Sequence, residues 1–318
     1  MTEQRQPTRE GVLRAAEKIA AILPPTPLLP VQIGDVSCWV KAESLQPIGA
    51  FKIRGGWHRL SDLSDDERAC GVVAVSSGNH AQGVAWAAKR LGIKATIVMP
   101  RDAPQVKLDA TAALGAEIVL YERPGEDRDA VAARITEQSG AILVHAFADA
   151  WVIEGQGSAG IEIAAQLGHQ PSRVIACCGG GGLTAGLSLA CPDAEIYPAE
   201  PVGWDMVGQS LATGHIVKAA SDAPKTICDA LQPTATGPII LSVLQGRSMP
   251  GVAVTDAEVR AAQRFAFSSL QLVLEPGGAA ALAAALAGKV PLDADTVIML
   301  TGGNTDASDY TQMLAAAH

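Results

Sequence analysis

The sequence predicts an α/β fold of parallel strands arranged in two doubly wound open sheets. Three observations carry that prediction. Short strand-like runs alternate with helical stretches along much of the 318 residues, which is how β-α-β crossovers read. Several of those runs pass directly into loops of glycine, serine or asparagine, the place where ligands collect in such sheets. Apolar residues make up 48% of the chain and charged ones 18%, enough apolar surface for two sizeable cores and too little charge for disorder.

The first series begins with a strand over 71–75, which enters the loop Ser76-Ser77-Gly78-Asn79-His80 and then a helix over 81–91. A strand over 94–100, a helix over 106–114 and a strand over 117–121 complete a β-α-β-α-β unit. The second series opens with a strand over 173–177, followed by a turn of four glycines, a helix through Leu189 and a strand over 194–197. The alanine-rich run 277–286, entered after Pro276, reads as a buried helix too short to span a bilayer. A final strand over 296–300 runs into Thr301.

The loops carry the chemistry. Lys52 stands in Ile48-Gly49-Ala50-Phe51-Lys52-Ile53-Arg54-Gly55-Gly56, just after an apparent strand. A lysine desolvated in such a setting serves as an amine nucleophile toward a carbonyl; taken alone, the stretch reads instead as an ordinary surface lysine after a glycine turn. Gly179 to Gly182 let the backbone approach an oxyanion closely, and the amides opening the next helix can hold a phosphate. No Lys-Ser or Lys-Thr follows them, which excludes a P-loop. The loop from Ser76 to Gly83 offers hydroxyls and amides at a positive helix end, which suits a carboxylate. Within it Asn79 also reads as a helix cap and His80 as a scaffold histidine. Gly155-Gln156-Gly157-Ser158-Ala159-Gly160 matches a dinucleotide fingerprint, but Trp151 to Glu154 make a poor strand and no acid follows at the required distance. Close packing of a helix opening at Gly155 explains those glycines.

Taken in order, the Lys52 stretch, the Ser76 to Gly83 loop, Gly179-Gly180-Gly181-Gly182-Leu183-Thr184-Ala185-Gly186 and Thr301-Gly302-Gly303-Asn304 resemble the fold type II pyridoxal 5'-phosphate enzymes. Within that family the resemblance is to the threonine/serine dehydratases and serine racemases. It implies two doubly wound domains with the cofactor in the cleft between them: a large domain of 1–49 and 148–318 and a small mobile domain of 50–147. It implies that Lys52 holds the cofactor as a Schiff base and, once freed, removes the substrate α-proton. Phe51 packs near the cofactor ring or, equally, in ordinary core. Gly179, Gly180, Gly181, Gly182 and Leu183 take the phosphate. Ser76, Ser77, Gly78, Asn79 and His80 form the substrate-carboxylate loop, with Asn79 also bonding the phenolic oxygen. Thr301 meets the pyridine nitrogen, and Glu275, in Glu275-Pro276-Gly277-Gly278, supports the cofactor from nearby. A hydroxyl partner does not hold that nitrogen protonated as a carboxylate would, so elimination is favoured over chemistry that needs a stronger electron sink.

The activity implied is an ammonia-lyase converting L-threonine or L-serine to a 2-oxo acid and ammonia. Ser77 keeps serine racemase and threo-3-hydroxyaspartate ammonia-lyase open as alternatives, and a cofactor-binding sensor is the non-enzymatic one. Members of the racemase branch often bind a divalent cation through a glutamate and an aspartate six residues later. Here Glu200 is present, but Met206 occupies the second position and Asp205 comes one residue early, so no metal ligand is assigned.

A net charge of -9 and a pI near 5.2 give no footprint for nucleic acid or an anionic membrane, leaving small-molecule chemistry as the default; the resemblance implies a small hydroxy amino acid as the partner. The polar start, Met1 to Gln6, lacks a signal-peptide core and predicts a cytoplasmic protein. With no extension read beyond His318, no regulatory domain is expected. The six cysteines show no CxxC spacing and read as reduced, mostly buried thiols. A homodimer is implied by the resemblance alone.

Overall fold

The computed structural model describes residues 5–315 apart from Pro104, Pro124 and Ser248. Met1 to Gln4, part of the polar start, and His318 lie outside the described residues. The chain opens with α1 (Arg9–Ala20), β1 (Leu28–Ile33), β2 (Val36–Ala42), α2 (Ile53–Ser61), α3 (Asp65–Cys70) and β3 (Val72–Val75). It continues through α4 (Asn79–Leu91), β4 (Ala95–Pro100), α5 (Gln105–Ala113), β5 (Glu117–Tyr121), α6 (Arg128–Ser139) and β6 (Ile142–Leu143). Next come α7 (Ala150–Leu167), β7 (Arg173–Cys177), α8 (Gly182–Ala190), β8 (Glu195–Pro201), α9 (Met206–Thr213) and α10 (Pro238–Leu244). The last elements are β9 (Val252–Val254), α11 (Asp256–Phe265), α12 (Pro276–Leu286), β10 (Thr296–Leu300) and α13 (Ala307–Ala315).

Two sheets result. Strands β5-β4-β3-β6 form an all-parallel four-stranded sheet. A six-stranded sheet has the order β1-β2-β10-β7-β8-β9 and is parallel except for the β1–β2 pair. β4 and β10 are buried at every residue, the mark of strands covered on both faces by crossover helices. β10 inserts between β2 and β7, so the end of the chain meets the segment that leads from β2 to Lys52.

The helices show how local sequence and packing combine. α12 carries Pro276 in its first turn, where a missing N–H costs nothing, and buries Gly277 through Ala285. α3 is stapled by a capping box between Ser64 and Glu67. α2 brings the fully buried Arg54 against Glu43 and Glu162 at 2.7 Å each, and Lys41 joins Glu162 at 2.7 Å. Buried charges persist only when paired in this way. The hydrophobic core of the four-stranded sheet also takes in Ile19 and Leu23 from the α1 end and Val152 from α7, residues on the far side of the boundaries read at 49 and 148.

Several sequence expectations shift. α4 begins at Asn79 instead of 81 and β8 runs on to Pro201. The segment 151–154, read as a poor strand, is helical, and the three glycines at 155, 157 and 160 lie inside α7 instead of opening a helix. Asp149 caps that helix by accepting from the Val152 amide. Close approach does explain the glycines: a Cβ on Gly155 would lie 2.6 Å from Gly55 Cα, and one on Gly157 2.5 Å from the Gly186 carbonyl. Of the free cysteines, five are buried and Cys70 is exposed. Among the described residues no helix is long and apolar enough to cross a membrane.

Candidate active site

A cavity of about 220 Å³ opens where the carboxyl ends of β3, β7 and β10 face the Lys52 segment. Every site residue expected from the sequence lines it: Phe51, Lys52, Ser76, Ser77, Gly78, Asn79, His80, Gly179 to Gly182, Leu183, Glu275 and Thr301.

Lys52 precedes the first turn of α2, and its ammonium donates to the Ala146 carbonyl at 2.8 Å. Burial pulls its pKa down from 10.5 to about 8, which leaves the neutral amine within reach at ordinary pH. The Phe51 ring lies 5.1 Å from the Lys52 nitrogen. α4 backs directly onto this segment, since a Cβ on Gly83 would sit 2.7 Å from the Lys52 carbonyl.

The glycine turn is shaped by its neighbours. Gly181 has φ +94°, a left-handed conformation that a side chain resists. A Cβ on Gly180 would meet the Phe147 ring at 2.3 Å, and Thr236 donates to the Gly180 carbonyl at 2.9 Å. The helix that follows, α8, has no side-chain cap, so its opening amides converge on the cavity with no side chain to answer them. Such a cradle of unanswered donors fits a phosphate.

α4 is likewise without a side-chain cap, and Ser76 accepts from the Gly78 amide at 3.1 Å. Asn79 is held at both ends of its amide. Its Nδ2 donates to Glu275 Oε1 at 2.5 Å, and its Oδ1 accepts from Asn304 Nδ2 at 2.7 Å. One Asn79 N–H stays free for a ligand oxygen. Glu275, immediately before α12, is buried and its carboxyl is pushed up to about 7 by desolvation. His80 points elsewhere: Nε2 meets the Val144 carbonyl at 2.9 Å, and burial together with the Lys52 charge lowers its pKa to about 3. With Nε2 as donor, the neutral ring has only an acceptor nitrogen left, which does not suit an anion. The scaffold reading of His80 is the one its geometry favours over carboxylate binding.

Thr301 Oγ1 lies 2.8 Å from Cys177 Sγ. Glu200, inside β8, accepts from the amides of Val207 and Gly208 at 2.9 and 2.8 Å, and burial pushes its carboxyl up to about 8. Met206 is buried as well. No group of three or more metal-binding side chains occurs among the described residues.

Sequence reasoning assigned no role to Cys177, Asn304, Lys107 or Arg128, all of which serve this region. Lys107 and Arg128 line the cavity, and Lys107 pairs with Asp229 at 2.5 Å. The signal for these two was positional: they stand in the first turns of helices that follow the carboxyl ends of β4 and β5.

The profile of the family described as "Pyridoxal-phosphate dependent enzyme" matches residues 19–302. A serine racemase of Schizosaccharomyces pombe is 35% identical, over 97% of this chain and 98% of its own. An L-threo-3-hydroxyaspartate ammonia-lyase of a Pseudomonas species is 36% identical, over 95% of this chain and 97% of its own. Among solved structures, a threonine deaminase of T.th. superimposes with a TM-score of 0.85 at 36% identity, covering 94% of this chain and 99% of that one.

Proposed function

The chain belongs to the pyridoxal-phosphate dependent enzymes, of fold type II, and on that premise we propose an ammonia-lyase that removes water from L-threonine or L-serine, leaving a 2-oxo acid and ammonia. The observation that carries this reading is the convergence of the Lys52 amine, the uncapped start of α8 and the Thr301 hydroxyl on one cavity. Pyridoxal phosphate, when bound, would supply an electron sink for the substrate α-carbon. Gly179 to Gly182 and the Leu183 amide hold its phosphate, Thr301 meets its ring nitrogen, and Phe51 packs beside the ring. Lys52, with an amine near half-deprotonated at about pH 8, anchors it and takes the α-proton as general base. Ser76, Ser77 and the amides opening α4 hold the substrate carboxylate, Asn79 meets the phenolic oxygen, and Glu275 keeps Asn79 in place. We read residues 50–147 as a small domain that moves against the rest, the Lys107–Asp229 pair being a contact such motion breaks.

A second reading, threo-3-hydroxyaspartate as substrate, is favoured by Lys107 and Arg128 on the cavity wall, where cations would meet a second carboxylate. The experiment is release of 2-oxo acid from L-threonine, L-serine, D-serine and threo-3-hydroxyaspartate, with D-serine formation followed in parallel. Oxo-acid release from threonine or serine supports the first reading, and release from hydroxyaspartate alone the second. D-serine without oxo acid makes the protein a racemase, and silence across the panel favours a sensor.

A further inference from the structure

We propose that Cys177 is a positioning residue for Thr301: its thiol donates to the Thr301 hydroxyl oxygen and thereby turns the Thr301 proton into the cavity. The proposal rests on the reading above in which Thr301 meets the ring nitrogen of the cofactor. Cys177 is the last residue of β7 and Thr301 the first after β10, and these strands are paired neighbours. The paired register ends at Ile298 opposite Ile175, and the two side chains meet just beyond it, where both strands run out into the cavity. Their Sγ and Oγ1 atoms are 2.8 Å apart, the residues are 5% and 3% exposed, and both line the cavity.

The distance leaves the direction open, since either atom can donate. Chemistry decides it. Each group has one proton, and sulfur is both the weaker donor and the weaker acceptor, so the choice turns on what each direction leaves facing the cavity. If Thr301 donated to sulfur, its proton would go to the poorer acceptor and only lone pairs would face the cavity. If Cys177 donates, the better acceptor is used and the Thr301 proton remains for a ligand. Burial holds Cys177 as the thiol, pushed up to about 11, so it has a proton to give. The Thr301 backbone is already fixed, its N–H on the Gly278 carbonyl at 3.3 Å and its C=O accepting from Phe51 at 3.1 Å. Rotation of the hydroxyl is the freedom left, and Cys177 removes it. A hydroxyl that presents its proton complements an unprotonated ring nitrogen and opposes the protonated one. The pair thus helps set the protonation state of the cofactor.

The test is holoenzyme reconstituted with pyridoxal 5'-phosphate carrying ¹⁵N in the ring, in wild type, C177S, C177A and T301V. The readouts are the pH midpoint of the ring-nitrogen chemical shift and the cofactor Kd. C177S keeps a donor in place and should match wild type. C177A should raise the midpoint and weaken cofactor binding roughly two- to tenfold, as a lost neutral hydrogen bond would. A C177A midpoint equal to wild type, with T301V displaced, overturns the proposal and leaves the Thr301 reading standing. An unmoved midpoint in T301V removes the Thr301 reading and this proposal with it. C177S behaving like C177A also overturns it, since packing and not donation would then be the cause. Should C177A fail to fold, the wild-type S–H infrared band absent from C177S decides: a hydrogen-bonded donor frequency supports the proposal, a free one sinks it.

Discussion

The backbone amide of Phe51 donates to the carbonyl of Thr301 at 3.1 Å, and Ala50 bridges antiparallel to Gly302 beside it. The residue before the lysine and the residue after the last strand therefore share one piece of backbone. Main-chain bonds instead of side-chain packing thus link the Lys52 segment to Thr301, the two ends of the proposed cofactor position, across the boundary read at 49. Preorganisation of that kind is what a reacting group needs.

Replacing Lys52 removes both anchor and base. Lys52→Ala should lower turnover by about 10² to 10⁴ or more, and its cofactor should come away on dialysis, followed by absorbance. Full turnover in this variant would exclude the lysine from the chemistry.

The depressed Lys52 pKa predicts the pH dependence of cofactor uptake. Attack on the cofactor aldehyde needs the neutral amine, and burial favours that form. Uptake by cofactor-stripped protein should rise with pH through about 8 and level off above it. Stopped-flow rates still climbing toward 10.5, the ordinary value, would show an amine open to water.

Ser77→Ala should spare elimination and abolish any D-serine formation, because the proposed carboxylate loop keeps its amides while the hydroxyl is lost. Chiral analysis of the products decides this, and unchanged racemisation would clear Ser77 of the role.

Two glycines in the site should respond oppositely. A Cβ at Gly180 would run into the Phe147 ring at 2.3 Å, whereas one at Gly78 meets nothing within 4 Å. Gly180→Ala should cost about 1–3 kcal/mol and weaken cofactor binding; Gly78→Ala should stay within about 0.5 kcal/mol. Denaturant titration of both variants compares them directly, and equal stabilities would contradict the steric account.

Glu200 has each carboxylate oxygen on a backbone amide of α9. A cation there would have to take those oxygens from their donors without a second carboxylate at position 206. Magnesium and a chelator should both leave Tm unchanged, and a clear rise with magnesium would reveal a site these contacts do not suggest.

Much of the site was legible because its parts are local. The runs at 71–75, 173–177 and 296–300 mark strands by composition, and the loops that follow them carry their ligand chemistry in consecutive residues. The boundaries of α7 were not legible from the same signals. Its interior glycines resemble a turn, and only the Asp149 cap, accepting from the Val152 amide, marks the true start.

The positions of these strands along the chain and the loop chemistry were thus determined by the sequence itself, since each depends on neighbours along the chain, whereas the burial of Lys52 was not, its amine lying on the Ala146 carbonyl 94 positions away. Which loops meet was decided by the tertiary structure alone. Cys177 reaches Thr301 across 124 positions, Asn79 reaches Glu275 across 196, and Asn304 reaches Asn79 across 225. These contacts arise because β10 inserts between β2 and β7, a pairing driven by burial of apolar strands on both faces. Burial selects neighbours by shape and polarity in space, and no local pattern in the chain records which partner wins.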